Sequence, residues 1–220
     1  MRTWLAALRA RLDASSTPYF RALADGSLSR AAFVESQVQF FRAVAHFNRP
    51  MLVLASRLER LEDRLPLVQN AFDEHGRGEL AGSHERTFLE LLARLGVAER
   101  EARARPIGPA VRAFNATLDG VCGAGEAFGA VATLGIIEDL FAVLSAELGR
   151  GIVARGWLRR DEVVHYATHE VLDLEHSEMF HRIVEPLWAT RRDEIAAGFE
   201  LGAHAFLQLF DALHAAAAAR

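Results

Sequence analysis

Apolar residues recur at intervals of three and four along almost the whole chain, and no stretch alternates for long enough to build a sheet. That period commits the chain to helices. Trp4, Leu8 and Leu12 fall on one face of a first segment, and Asp25-Gly26-Ser27 reads as a turn. Ser27 or Ser29 is expected to cap a long helix reaching about Arg60, which carries Phe33, Phe40, Val44, Phe47 and Met51. Pro50 should kink or break it. A shorter helix carries Leu67, Phe72 and Glu74 and ends at Gly76-Arg77-Gly78, because glycine suits a helix terminus. Helix resumes near Gly82-Ser83 and runs through Leu95-Gly96. The stretch EREARARPIGP reads as a polar linker, and further helices are expected over 110–122, 126–149, 160–189 and 192–219. Short connections and 220 residues together predict an all-α fold, one domain over residues 1–220, with about seven or eight helices in a bundle.

Composition removes several function classes. The formal charge is −4, no basic block occurs, and every basic side chain other than histidine is arginine. No nucleic-acid partner is expected on that ground, and lysine is removed from every catalytic scheme. Cys122 is the only cysteine, which excludes a disulfide within the chain and makes a reducing, cytoplasmic setting the expectation. The amphipathic start MRTWLAALRARLDASS lacks an apolar signal core. No uncharged stretch reaches the roughly 18 residues of a membrane span, so no membrane is expected.

Three places carry candidate chemistry. In VVHYATHEVLDLEHSEMF, His169, Asp173 and His176 form H-x3-D-x2-H. Offsets of four and seven place all three within about a 60° arc of one helix face. Two imidazoles and a carboxylate on one stripe suit iron, manganese or zinc; the alternative is a polar face with scattered charge. In DEHGRGELAGSHERTF, Glu74 ends one helix and His84 starts the next, with glycines between that let the chain turn back. His75 and Glu79 are rival ligands there. Glu138 sits in the apolar run ATLGIIEDLFAVL, where a buried carboxylate needs a partner or a metal. Asp139 beside it points about 100° away, so that one of the two can face solvent; the alternative is that both sit at the edge of the apolar stripe. Gly135, one turn earlier, permits close helix approach. Together the three carboxylates nearly neutralise two ferrous ions, so such a centre can be buried.

With these residues in this order, the chain resembles the haem-oxygenase-like di-iron oxidases and oxygenases, a superfamily shared with TENA-type thiaminases and the pyrroloquinoline quinone synthase. The family pattern is a Glu and a His flanking a helix break, a lone Glu on a later helix, then H-x3-D-x2-H. Here these are Glu74, His84, Glu138, His169, Asp173 and His176. Tyr166 and Glu175 match the flanks of the last motif, and the likeness runs from about Tyr19 to Phe180. The Glu-to-His spacing varies among members. The resemblance implies a seven-helix, haem-oxygenase-like bundle and a di-ferrous centre that reacts with O2. It also implies a small-molecule substrate, with N-oxygenation and oxidative C–C cleavage among the reactions. Glu74, Glu138 and Asp173 would take catalytic as well as ligand roles, Asp173 as the labile one. Manganese is possible at one position, an electron donor is a possible partner, and a homodimer is possible. Self-sacrificing tyrosine chemistry of the kind that uses a lysine is disfavoured, since the chain has no lysine and only Tyr19 and Tyr166.

Two other readings compete: a metal-independent hydrolase or oxidase of the same superfamily, and a non-enzymatic helical interaction protein with an exposed apolar patch. Phe40, Phe41, Phe47, Phe128 and Phe141 are core residues or pocket walls. Gln37 and His46 are substrate contacts or satisfied polar groups, and His165 either supports His169 or is exposed. His181, His204 and His214 read as surface or packing residues. Phe199, Phe206 and Phe210 would pack the bundle or a dimer interface.

Overall fold

The computed structural model describes residues 1–218, and every regular element among them is helical. The α-helices are α1 (Arg2–Leu12), α2 (Pro18–Asp25), α3 (Arg30–Arg57), α4 (Leu61–Glu74) and α5 (His84–Arg94). They continue with α6 (Glu99–Ala104), α7 (Pro109–Ala124), α8 (Ala127–Ala154), α9 (Val164–Val184) and α10 (Arg192–Ala218). The all-α expectation holds. The helix count exceeds the expected seven or eight because α2 and α6 are added. Pro18 opens α2 at a position where its missing N–H costs nothing. The segment expected to be a linker forms α6, with Glu99 and Glu101 in its first turn and only Ala102 buried. The helix α3 runs on through Pro50 instead of stopping there. Ser29 caps α3, accepting from the Ala32 N–H at 3.2 Å, so of the two candidate caps it is the one used. The expected end of the last helix at residue 219 lies outside the described residues.

The centre of the bundle is α8, which packs most extensively against α9 and α10. It is long and apolar enough to cross a membrane, yet 78% of its most apolar window is buried inside the fold. A helix apolar all round belongs in a core. Its first turn is fixed by Glu194 of α10, whose Oε1 accepts from the N–H groups of Phe128 and Gly129, both at 3.0 Å. Close approach to α9 runs over Gly135, where a Cβ would stand 2.9 Å from the Phe180 Cβ. The aromatic stripe Phe199, Phe206 and Phe210 is buried in the bundle, so it packs the core and does not face a second copy.

Candidate metal centre

The helices α4, α5, α8 and α9 each bring polar side chains to one buried place. Glu74 is the last residue of α4, and His84 the first of α5, set by the Ser83 cap that accepts from Arg86 N–H. Their side chains meet, His84 Nδ1 to Glu74 Oε1, at 2.7 Å. The stripe on α9 places His169 Nδ1 2.8 and 3.0 Å from the two Asp173 oxygens. One turn on, His176 Nδ1 lies 3.9 Å from Glu138 Oε1 and 4.0 Å from Asp173 Oδ1. The His84 and His169 rings stand 4.3 Å apart, centroid to centroid. Thus all six candidate side chains converge, and all six are buried. Glu74, Glu138 and His176 present donor atoms within 4.8 Å of one another, close enough to share an ion.

The electrostatics of the place call for positive charge. Burial, then the neighbouring Asp173 and Glu74, push the Glu138 carboxyl well above the usual carboxylate range. Burial and Glu74 do the same to Asp173. Burial opposes ionisation of Glu74 too, but the adjoining His84 prevails and holds it down to about 2. Burial, followed by His84, drives His169 down to about 3, so its imidazole is neutral and able to ligate. Nδ1 of His176 and Nε2 of His169 are buried with no hydrogen-bond partner among the described residues. Bare imidazole nitrogens beside crowded carboxylates match the donor set of a transition-metal site.

Sequence reasoning missed the residues that hold these groups. Asn70, one turn before Glu74, donates from Nδ2 to Glu138 Oε1 at 2.9 Å. Asp73 meets His176 Nε2 at 3.4 Å and is itself held by the Arg77 Nε–H at 2.7 Å. A carboxylate on one imidazole nitrogen leaves the other free for a metal. The Asp73→Ala variant should therefore bind Fe(II) about 10- to 100-fold more weakly in a chelator competition, with Asp73→Asn recovering part of the loss. Equal affinity in all three proteins would remove Asp73 from this role. The signal was present in the sequence: Asn70 lies four residues before Glu74, on the same helix face.

Other candidates fall elsewhere. His75 and Glu79 are exposed, and His75 Nδ1 donates to the Ala71 carbonyl at 2.6 Å, so neither rival joins the cluster. Asp139 does not face solvent: it is buried, paired with Arg9, and 3.8 Å from the buried His181. His165 is buried, not exposed. The Thr87 hydroxyl donates to the His84 carbonyl at 3.2 Å, so its oxygen accepts from His165 Nδ1–H at 2.9 Å. The His165 ring lies tilted against that of His169, with centroids 4.4 Å apart. Gln37 is a satisfied polar group, donating to Tyr19 Oη at 2.9 Å and accepting from Tyr166. His46 pairs with Asp119 at 2.8 Å.

A narrow cavity of about 40 Å³, open to solvent at its outer end, reaches the cluster. Its polar lining residues are Glu74, Glu138 and His169; the rest are apolar, among them Phe40, Phe47 and Phe141. Phe41 and Phe128 are not among them: Phe41 is core beneath Arg103, and Phe128 lies under Arg191.

The bundle has the haem-oxygenase-like fold, as solved structures show. A CADD-like protein of unknown function from Nostoc punctiforme superposes with a TM-score of 0.78 at 18% identity, covering 98% of this chain and 96% of that one. A heme-oxygenase-like domain of unknown function from Shewanella denitrificans gives 0.76 at 16% identity, covering 96% and 89%. Within that fold class, the family model described as iron-containing redox enzyme matches residues 34–209, and the chain belongs to that family. Among curated proteins, a 4-aminobenzoate synthase of Chlamydia muridarum is 22% identical over 179 residues, 81% of this chain and 75% of its own length.

Proposed function

We propose that this protein is a non-haem di-iron oxidase or oxygenase that uses O2 to oxidise a small organic molecule. Glu74, His84, Glu138, His169, Asp173 and His176 would hold the irons. The observation that carries the reading is the convergence of these six buried side chains, with orphaned imidazole nitrogens among them, in a family of iron-containing redox enzymes. When bound, two ferrous ions supply the electrons that reduce O2. The chain's own residues do the remaining work. Asp173 fixes the His169 ring by its Nδ1, and Asp73 fixes His176 by its Nε2, so each ring offers its other nitrogen. Asn70 orients Glu138. Phe141, 4.8 Å from the His169 ring, shields the centre from water. As an oxygenase it would draw two electrons per turnover from a donor outside the chain; as an oxidase it would take them from the substrate itself. Manganese at one position is compatible with the same donors.

A thiol-dependent hydrolase on this fold finds no support, because Cys122 is fully buried and burial pushes its thiol up to about 12. Anaerobic loading with Fe(II), followed by desalting and iron analysis, should give about two irons per chain, and mixing with O2 should then consume it. Trace iron only, or O2 uptake no faster than that of free Fe(II), would overturn the reading.

A further inference from the structure

The cavity beside the cluster differs from an ordinary polar active-site cleft. Phe40, Phe114, Phe141 and Phe206, with Ala43 and Ile137, make up its buried walls. Val44 and Phe47 are only half-buried, which places its outer end at the middle of α3. The polar groups it touches, Glu74, Glu138 and His169, all belong to the candidate centre. Once these hold ions, no carboxylate, hydroxyl or amide remains in the lining to receive an ammonium or a guanidinium. Burying such a cation unpaired costs several kcal/mol.

From this lining we infer that the part of the substrate next to the centre is an uncharged hydrocarbon, alkyl or aryl, and that amines and guanidines carrying positive charge are refused. The inference rests on the di-iron reading and narrows it. It favours reaction at carbon over N-oxygenation of a cationic group. Chain entry is from the Val44 and Phe47 end, apolar portion first.

The test is calorimetric titration of anaerobic Fe(II)-loaded protein with n-alkanols from butanol to decanol and with the matching n-alkylammonium ions. Alkanol affinity should rise about three- to four-fold per methylene until the cavity is full. Each ammonium should bind at least about ten-fold more weakly than its alkanol. Filling the outer end with Val44→Trp should abolish alkanol binding while iron content stays the same. Widening it with Val44→Ala should move the longest accepted chain upward, which keeps the test decisive if the tryptophan variant misfolds. Affinity independent of chain length, ammonium binding as tight as alkanol binding, or indifference to both Val44 variants would overturn the inference. Iron is measured on the same samples, and the alkanol series is repeated on iron-free protein. Alkanol binding that depends on Val44 in a protein that takes up no iron would sink the di-iron reading and leave the apolar cavity as the binding site.

Discussion

Glu138→Gln is expected to strip the centre of at least one iron and, in the same molecule, to make the iron-free protein harder to melt. The carboxylate is buried beneath Asp173 and Glu74, and burial and those neighbours raise its proton affinity well above normal. A carboxyl whose pKa is higher folded than unfolded holds more protons in the folded state. Its contribution to stability therefore falls as pH rises from the ordinary carboxylate range towards the raised value. Glutamine carries no such penalty and can still accept from Asn70. Relief of about 1–2 kcal/mol corresponds to a rise of about 5 °C in the melting temperature of a chain this size. The gain should be larger at pH 8 than at pH 5 and vanish in strong acid, where both proteins are protonated. Iron should fall to about one or fewer per chain, and O2 consumption to the level of free Fe(II). Melting curves in chelator at the two pH values, with iron analysis at neutral pH, check both halves. A variant that binds iron normally would remove Glu138 from the ligand set. One less stable than the parent at pH 8 would contradict the account of its burial. Function bought at the expense of stability in this way is common where charges are buried for a cofactor.

Gly198→Ala should produce the largest loss of stability, although it adds a single methyl. Gly198 of α10 lies directly against Gly129 of α8. A Cβ there would overlap the Gly129 carbonyl oxygen and stand 2.8 and 2.9 Å from its carbonyl carbon and Cα. These are backbone atoms, so no side chain can swing aside and the two helices must part. The Thr133 hydroxyl, in contact with both the Gly129 and Gly198 carbonyls at 2.9 and 3.0 Å, would be disturbed with them. A cost of about 3 kcal/mol predicts a melting temperature about 6–12 °C lower. Gly120→Ala in α7 is the control. Nothing lies within 4 Å of its added Cβ, and alanine is the better helix former, so a gain of up to about 1 kcal/mol is expected. Equal effects at both positions would show that the α8–α10 contact is looser than described.

The sequence was most legible where local period and chemistry coincide. His169, Asp173 and His176 could be placed on one face because a single helix carries all three, and Glu138 stood out as a charge in an apolar run. The convergence of Glu74 and His84 was suggested by glycines that break the chain between them. What could not be read arises between elements. Asp73 looks like one more acid at a helix end until α9 brings His176 to it. Thr87 gains its role only because α5 lies beside His165. Helix geometry left one of Glu138 and Asp139 free to face solvent, yet both are buried, because Arg9 arrives from α1 to pair with Asp139. The short α6 escaped because four charged residues and two alanines, one of them buried, carry no readable period.

The excursion between α4 and α5 has its ends already in contact, with Gly76 packed on the backbone of Gly82 and Ser83. Arg77 turns back, in a left-handed conformation, to hold Asp73, and residues 78–82 are all exposed. Lengthening such a closed loop costs only a logarithmic entropy. Insertions among the exposed residues 78–81 should thus be tolerated without moving Glu74 or His84. A search for kindred chains should therefore demand the order of these residues and leave the Glu-to-His interval free.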